Sequence, residues 1–192
     1  MKKLILITLA ALTLAACEKQ ADTDELEGRY VVYTSYDPQT DFSSLGTYYL
    51  PDSILIISNS LQPTYSTGTQ AQEILQAWAD NMETRGFTRS EKREDADLGL
   101  QVSYVENTYH FNSIDWGGWY YPFVVSYSFN TGTFLAELVN LTSPQGEDQS
   151  LPVVWNSCMS GALSGSTRLD TMLVIDAVNQ AFAQSAYLSN PQ

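Results

Sequence analysis

The sequence predicts an α+β fold in which a mostly antiparallel sheet carries two helices packed on one of its faces. Strand-like segments come first, followed by a helical segment, several further strands and a last helix, an order typical of this class. Apolar and polar residues alternate over residues 98–105, as they do in a strand with one solvated face. Apolar residues recur at helical spacing over residues 69–84.

The strands are predicted from runs rich in β-branched and aromatic residues, at 30–35, 47–50, 54–57, 98–105, 123–129, 133–141 and 153–159. Segments 123–129 and 133–141 are expected to form an antiparallel hairpin around a turn at Gly132.

The first helix is predicted to begin at a capping box made by Thr69 and Gln72 and to end at Gly86. Its buried face is expected to hold Ala71, Ile74, Leu75, Trp78 and Met82. The last helix is predicted to open at residues 164–168, with a shared face of Met172, Ile175, Val178 and Phe182.

The N-terminal segment has the layout of a secretory signal: two lysines, an apolar run over residues 4–14, and small residues before Cys17. The run is about a dozen residues long, shorter than the roughly 20 that a membrane-spanning helix needs. Leu14-Ala15-Ala16-Cys17 resembles the lipobox of bacterial lipoproteins, in which the cysteine is acylated and becomes the first mature residue. The alternative is an ordinary signal whose cleavage site happens to contain Cys17.

These features divide the chain into a signal peptide (1–16), an acylated cysteine with a flexible acidic tether (17–28) and one α+β domain (29–192). Lipid on Cys17 is then the membrane contact, because two or more acyl chains hold a protein stably. Glu18 after the cysteine favours the outer membrane in the enterobacterial sorting rule. The acidic residues that follow resemble export tags of surface lipoproteins in the Bacteroidetes, so the expected location is the periplasmic side or the cell surface.

The chain is strongly acidic, with a net charge of −13. Removal of Lys2 and Lys3 with the signal makes it more negative still, and such a surface repels phosphates, so no nucleic-acid partner is expected. If Cys17 is acylated, Cys158 has no disulfide partner within the chain. Cys158 lies in an apolar strand and is either a small buried hydrophobe or a catalytic thiol.

Several segments resemble one family of bacterial lipoproteins, domain of unknown function 4136. They are Tyr36 to Ser44, Ala96 to Tyr104, the Trp/Tyr/Gly tract at 116–121, Gly132 to Leu135, and Pro152 to Trp155. The resemblance runs from about Tyr30 to Tyr187 and implies an envelope lipoprotein with an α+β domain. It implies no established activity and no catalytic residues. The tract is shorter than in many members, and Asn140 stands where many have an acidic residue.

No set of residues in the sequence matches a known catalytic or cofactor motif, so neither catalysis nor a cofactor is expected. His110 is the single histidine, which excludes metal sites built on paired histidines and leaves it as the one base for a triad. Asp95 and Asp97 are either turn residues or a hydrolase pair. Asp37 and Asp41 are turn formers or, with Asp52, oxygen ligands for calcium.

The remaining candidate site is an aromatic segment around Gly117 and Gly118, expected to be a loop between strands. Its candidate ligand-binding residues are His110, Trp116, Trp119, Tyr120 and Tyr121. Flat aromatic faces bind sugars or fill pockets in partners, pack into their own core, or rest at a membrane interface. The sequence thus favours a noncatalytic binding or structural domain that meets an envelope protein or glycan. The alternative is an envelope glycan hydrolase using carboxylates near this loop.

Overall fold

The computed structural model describes residues 30–58, 63–106, 109–110, 115–116, 119–120, 128–129, 132–143, 151–161 and 170–190. The expected signal peptide, Cys17 and the tether lie outside these residues.

The described residues form strands and two α-helices, numbered here in chain order. The strands are β1 (Val31–Tyr36), β2 (Thr47–Tyr49), β3 (Ile54–Ile57), β4 (Thr64–Ser66), β5 (Thr88–Arg89), β6 (Leu98–Val105), β7 (Tyr109–His110), β8 (Asp115–Trp116), β9 (Trp119–Tyr120), β10 (Ser128–Phe129), β11 (Thr133–Asn140) and β12 (Val153–Ser160). The helices are α1 (Thr69–Thr84) and α2 (Thr171–Gln184). The predicted α+β class is therefore confirmed.

Eight of the strands form one open sheet. Six of them follow one another in the order β1-β12-β11-β6-β2-β5, and β3 and β4 join the sheet beside β6. The first four pair antiparallel throughout. Strands β2 and β3 follow one another along the far side of β6, and both run parallel to it. On that side the sheet ends in short strands. Strand β5 pairs parallel with β2, and β4 pairs antiparallel with β3.

Both helices lie on one face of the sheet, which we call the helix face. Its large side chains pack ring against ring: Trp78 of α1 lies edge-on to Trp155 of β12, with centroids 6.1 Å apart. Phe182 of α2 contacts both rings, at 5.6 Å and 5.9 Å. The Trp155 Nε1–H donates to Ser185 Oγ at 3.0 Å, so this buried indole is hydrogen-bonded. Helices and sheet thus close one continuous core.

Helix α1 confirms the predicted buried face and contradicts the predicted capping box. Gly68, not Thr69, is the N-cap residue, and no side chain caps the first turn. Since Thr69 is already helical, Gln72 does not reach back to it but donates from Nε2 to the Asp52 carbonyl oxygen. The helix ends at Thr84, and Gly86 follows it in the left-handed conformation as predicted: its φ is +89°, and a Cβ there would lie 2.0 Å from the Asn190 carbonyl oxygen.

Helix α2 begins later than the sequence suggests, and its buried stripe is rotated. Asp170 caps it by accepting from the Met172 and Leu173 N–H groups; residues 164–168 lie outside the described part. Met172 was expected on the inner face but is 66% exposed. The buried residues are Leu173, Val174, Ala177, Val178, Ala181 and Phe182. The smaller alanines, which the pattern of large apolar residues omits, therefore belong to the contact face.

The opposite side of the sheet, which we call the second face, contradicts the prediction of a solvated face at β6. Gln101 and Ser103 point away from the helices, yet they are as buried as their apolar neighbours. Burial is therefore two-sided in the middle of the sheet, where β6 lies between β11 and the β2/β3 edge. Neither described helix covers this face, and neither is long and apolar enough to span a membrane.

Candidate functional site

The aromatic segment belongs to a hairpin different from the predicted one. Strand β10 was expected to pair with β11 but pairs antiparallel with β7: Ser128 lies opposite His110, and Phe129 opposite Tyr109. In the main sheet, Val105 of β6 lies opposite Thr133 of β11. Tyr109 comes four residues after Val105, and Phe129 comes four residues before Thr133. The pairing of β7 with β10 therefore has the same register as the pairing of β6 with β11, although β7 and β10 form a two-stranded sheet of their own.

The candidate tryptophans lie between β7 and β10 along the chain, on a separate pair of short strands. Trp116 of β8 is directly opposite Trp119 of β9, and Asp115 is opposite Tyr120. The backbone therefore brings Trp116, Trp119 and Tyr120 together and places His110 on the β7 ladder, closer along the chain to the main sheet. Tyr121, the fifth predicted residue, lies outside the described residues, and the side-chain exposure predicted to decide between binding and packing is not described either.

A second group of interest crosses the middle of the second face. Gln101 of β6 lies opposite Glu137 of β11, which lies opposite Asn156 of β12. Ser35 of β1 continues the row beyond Asn156. Because paired residues share a face of a sheet, these four polar side chains form one row across four strands. We call it the polar row.

Glu137 is the charged member of the polar row, and its exposed fraction is 8%. Burial raises the pKa of its carboxyl group from 4.5 to about 8. No described group donates a hydrogen bond to this carboxyl, and its two neighbours across the strands are neutral amides. It is therefore protonated at neutral pH and able to donate a hydrogen bond or a proton, a property common at functional sites.

Sequence reasoning missed Glu137, although a signal was present. It is the one charged residue in β11, where Phe134, Ala136 and Leu138 alternate with it. In a strand with one solvated face, a glutamate at that position is unremarkable. Only the burial of the second face, which the alternation does not reveal, makes it a buried acid.

Cys158 lies one row from Glu137, opposite Leu135 of β11 and Tyr33 of β1. It is half-buried, and burial raises the pKa of its thiol despite an opposing hydrogen bond from Ser160. A thiol with a raised pKa is a poor nucleophile at neutral pH. This geometry favours the interpretation of Cys158 as a small apolar side chain over that of a catalytic thiol.

The predicted carboxylate pair at the start of β6 separates into two different roles. Asp95 is exposed at the end of a short 3-10 helix. Asp97 accepts hydrogen bonds from the Gly46 N–H, the Thr47 N–H and the Thr47 hydroxyl at 2.8–2.9 Å. Desolvation alone would raise the pKa of Asp97, but these donors outweigh it and hold the pKa below its usual range. Asp97 thus fastens the chain before β2 to the start of β6.

The aspartates considered for calcium are engaged in local structure. Asp37 accepts from the Gln39 N–H at 2.9 Å, and Asp41 caps a 3-10 helix by accepting from the Ser43 N–H, as expected of turn formers. Asp52 forms an ion pair with Arg89 at 3.0 Å. Across the described ranges, no three acidic, histidine or cysteine side chains come together in a way that would hold a metal ion.

Comparison with known proteins gives the family. The model of the family DUF4136, a domain of unknown function, matches residues 32–185. The chain belongs to this family. A crystal structure of a DUF4136 protein from Bacteroides thetaiotaomicron is 43% identical, covering 85% of this chain and 99% of that one with a TM-score of 0.74.

A second solved structure gives a much weaker match. A PelC dodecamer from Paraburkholderia phytofirmans matches over 84% of this chain and 99% of that one, with 11% identity and a TM-score of 0.45, a likeness too weak to carry an argument. None of the curated proteins compared with the chain matches it.

Proposed function

We propose that this DUF4136 protein is an outer-membrane lipoprotein whose single domain binds an envelope protein or glycan and catalyses no reaction. The anchor is the acylated Cys17, and the first described strand, β1, begins at Val31. A flexible tether as long as segment 18–30 would span about 20 Å. That length lets the domain move near the bilayer without resting on it.

The observation that carries the binding part is the register shared by β6–β11 and β7–β10. We infer from this register that the segment is pre-organised for binding, and pre-organisation reduces the ordering penalty. The paired Trp116 and Trp119 are of the residue type that supplies most binding energy in interfaces and also stacks on sugar rings. The segment is therefore a suitable contact for a protein or glycan of the envelope.

The competing function is glycan hydrolysis, and Glu137 is the specific observation in its favour. A buried carboxyl with a pKa of about 8 is a suitable general acid. Glycosidases generally pair such an acid with a second carboxylate. Within the described ranges burial is the cause of the raised pKa, and the residues opposite Glu137 on both neighbouring strands are amides, not carboxylates. This favours the noncatalytic function.

The anchor is tested by metabolic labelling with an alkyne fatty acid in a bacterial host. Wild type and the Cys158→Ser variant, which keeps the lipobox, are expected to be labelled and to sediment with the outer membrane. The Cys17→Ser variant is expected to lose the label and the membrane fraction. Equal labelling of the Cys17→Ser variant would overturn the anchoring proposal.

The domain's role is tested with a photo-crosslinking amino acid placed at Trp119 in intact cells. A discrete product is expected at this position and not at the control position Tyr65, which is 52% exposed on β4. Crosslinking at neither position, or at both equally, would contradict binding through the hairpin. Purified protein is also incubated with cell-wall, glycan and ester substrates. Turnover that the Glu137→Gln or His110→Ala variant abolishes would establish the hydrolase instead.

A further inference from the structure

The strand β1 forms one edge of the sheet, and that edge lacks the usual protection against pairing. It is six residues long and contains no charge and no proline. Natural edges are usually kept short, charged or bulged to prevent association. The opposite edge follows this rule, since β4 and β5 have three and two residues and Arg89 of β5 is charged.

The exposed apolar side chains of the described part concentrate on this strand. Three of the five large ones belong to β1: Val31 is 70% exposed, Tyr33 53% and Tyr36 42%. Val31 and Tyr33 lie on the second face, whereas Tyr36 lies on the helix face and stacks on Tyr187 with ring centroids 3.7 Å apart. The edge therefore offers apolar area on both sides of its backbone.

The direction of the backbone groups follows from a single hydrogen bond. The Asp37 N–H donates to the Val154 carbonyl oxygen at 3.0 Å, which continues the register of β1 with β12. Backbone groups alternate in direction along an antiparallel strand. The N–H and C=O groups of Val32, Thr34 and Tyr36 therefore point outward, and within the described ranges no backbone group pairs with them.

We propose that this edge binds a second copy of the same chain, as an antiparallel β1–β1 pair with Thr34 on the two-fold axis. In that register Thr34 lies opposite Thr34 of the second copy, and Val32 lies opposite Tyr36. Every outward N–H and C=O of these three residues is then hydrogen-bonded. Both pairings, Thr with Thr and aromatic with β-branched, are favourable across strands.

The occupant is a second copy because the strand is self-complementary and the anchor concentrates copies on one membrane surface. The chain carries a net charge of −13, so two copies repel at most surfaces, but no charged side chain of β1 faces another in this register. The two Val31 residues would be about 20 Å apart. A flexible tether as long as segment 18–30 would span a similar distance, so both lipids would reach one membrane. This last step rests on the proposed lipid anchor.

The test is disulfide trapping in the full-length protein in its native membrane. Residues opposite one another in a hydrogen-bonded pair have Cα atoms about 5.5 Å apart, within the range for a disulfide. The Thr34→Cys variant is expected to give at least tenfold more covalent dimer on oxidation than wild type, which retains Cys158. Ser35→Cys tests the register, because its diagonal separation of about 7–8 Å exceeds disulfide reach. Tyr65→Cys tests for random collision.

A mixture of Val32→Cys and Tyr36→Cys chains provides a second measurement, expected to crosslink more than either variant alone. Absence of dimer from both Thr34→Cys and the mixture overturns the proposal. Equal dimer from Thr34→Cys, Ser35→Cys and Tyr65→Cys overturns it as well. Acyl labelling is measured on the same samples. Disulfide-trapped dimer without acyl label would refute the lipid anchor and support the dimer. Acyl label without trapped dimer would support the anchor and refute the dimer.

Discussion

The two faces of the sheet are both buried at its centre, but by different kinds of side chain. On the helix face, Trp78, Trp155 and Phe182 meet ring to ring, and burial stabilises the fold directly. On the second face, burial encloses Gln101 and Glu137 of the polar row and works against the ionised form of Glu137. Burial alone therefore does not identify the part of this molecule that stabilises the fold. The helix face is that part, whereas stability on the second face depends on pH.

The largest expected effect comes from opening the helix face. Trp78 is fully buried between Trp155 and Phe182. The Trp78→Ala variant is expected to lose about 3–5 kcal/mol of unfolding free energy, measured by urea denaturation at fixed pH, because it leaves a cavity in the core. The exposed Tyr65→Ala control should change stability by less than about 0.5 kcal/mol. A loss of the same size in both variants would contradict the assignment of the helix face as the main core.

The next prediction tests whether the second face depends on pH through Glu137. Its carboxyl has a pKa of about 8 in the folded protein and 4.5 as the ordinary value, so between these values the folded state holds a proton that the unfolded state has released. The stability that the protonated Glu137 adds to the folded state is complete below pH 4.5 and is lost as pH rises to about 8. Between these pH values the free energy of unfolding is expected to fall by about 1.4 kcal/mol per pH unit.

The Glu137→Gln variant carries a neutral side chain of the same shape, so it should lack this decline and exceed wild type in stability at pH 8. Denaturation midpoints at half-unit pH steps measure it. Glu73→Gln, on the exposed side of α1, is the matched control and should keep the wild-type slope. Parallel curves for wild type and the Glu137→Gln variant would show that the second face does not oppose ionisation.

The same contrast explains how much of the structure the sequence predicts. Periodicity located α1, and β6 was correct in extent, because local patterns reflect one buried face each. The alternation in β6 could not reveal that its second face is buried, since Gln101 and Ser103 are compatible with a solvated face. The predicted capping box was wrong because the Gln72 side chain donates its hydrogen bond to the Asp52 carbonyl oxygen, which is distant along the chain.

The candidate site was predicted in part, for a related reason. The aromatic composition located the segment, and the structure supplies the pairing of Trp116 with Trp119 that composition does not contain. The hairpin was assigned to the wrong partner because Gly132 resembles a turn residue and does have a φ of +86°. Glu137 was missed because its meaning depends on strands far away in sequence. Long-range pairing is thus the information that the sequence patterns lacked.

The smallest predicted effect concerns Asp97, a partly buried carboxylate that contrasts with Glu137 because it has donors. Three hydrogen bonds from Gly46 and Thr47 hold its pKa below 3.8, so its contribution is present above that value and is lost as pH falls below it. Asp97→Asn is expected to lower the unfolding free energy at pH 7 by about 1–2 kcal/mol, because the amide lacks the charge that strengthens those bonds. Asp95→Asn, at the exposed neighbouring position, should change it by less than about 0.5 kcal/mol. The difference between wild type and Asp97→Asn should shrink in acid, opposite in direction to the effect at Glu137. If it instead grew below pH 3.8, the donors around Asp97 would not be what separates these two carboxyl groups.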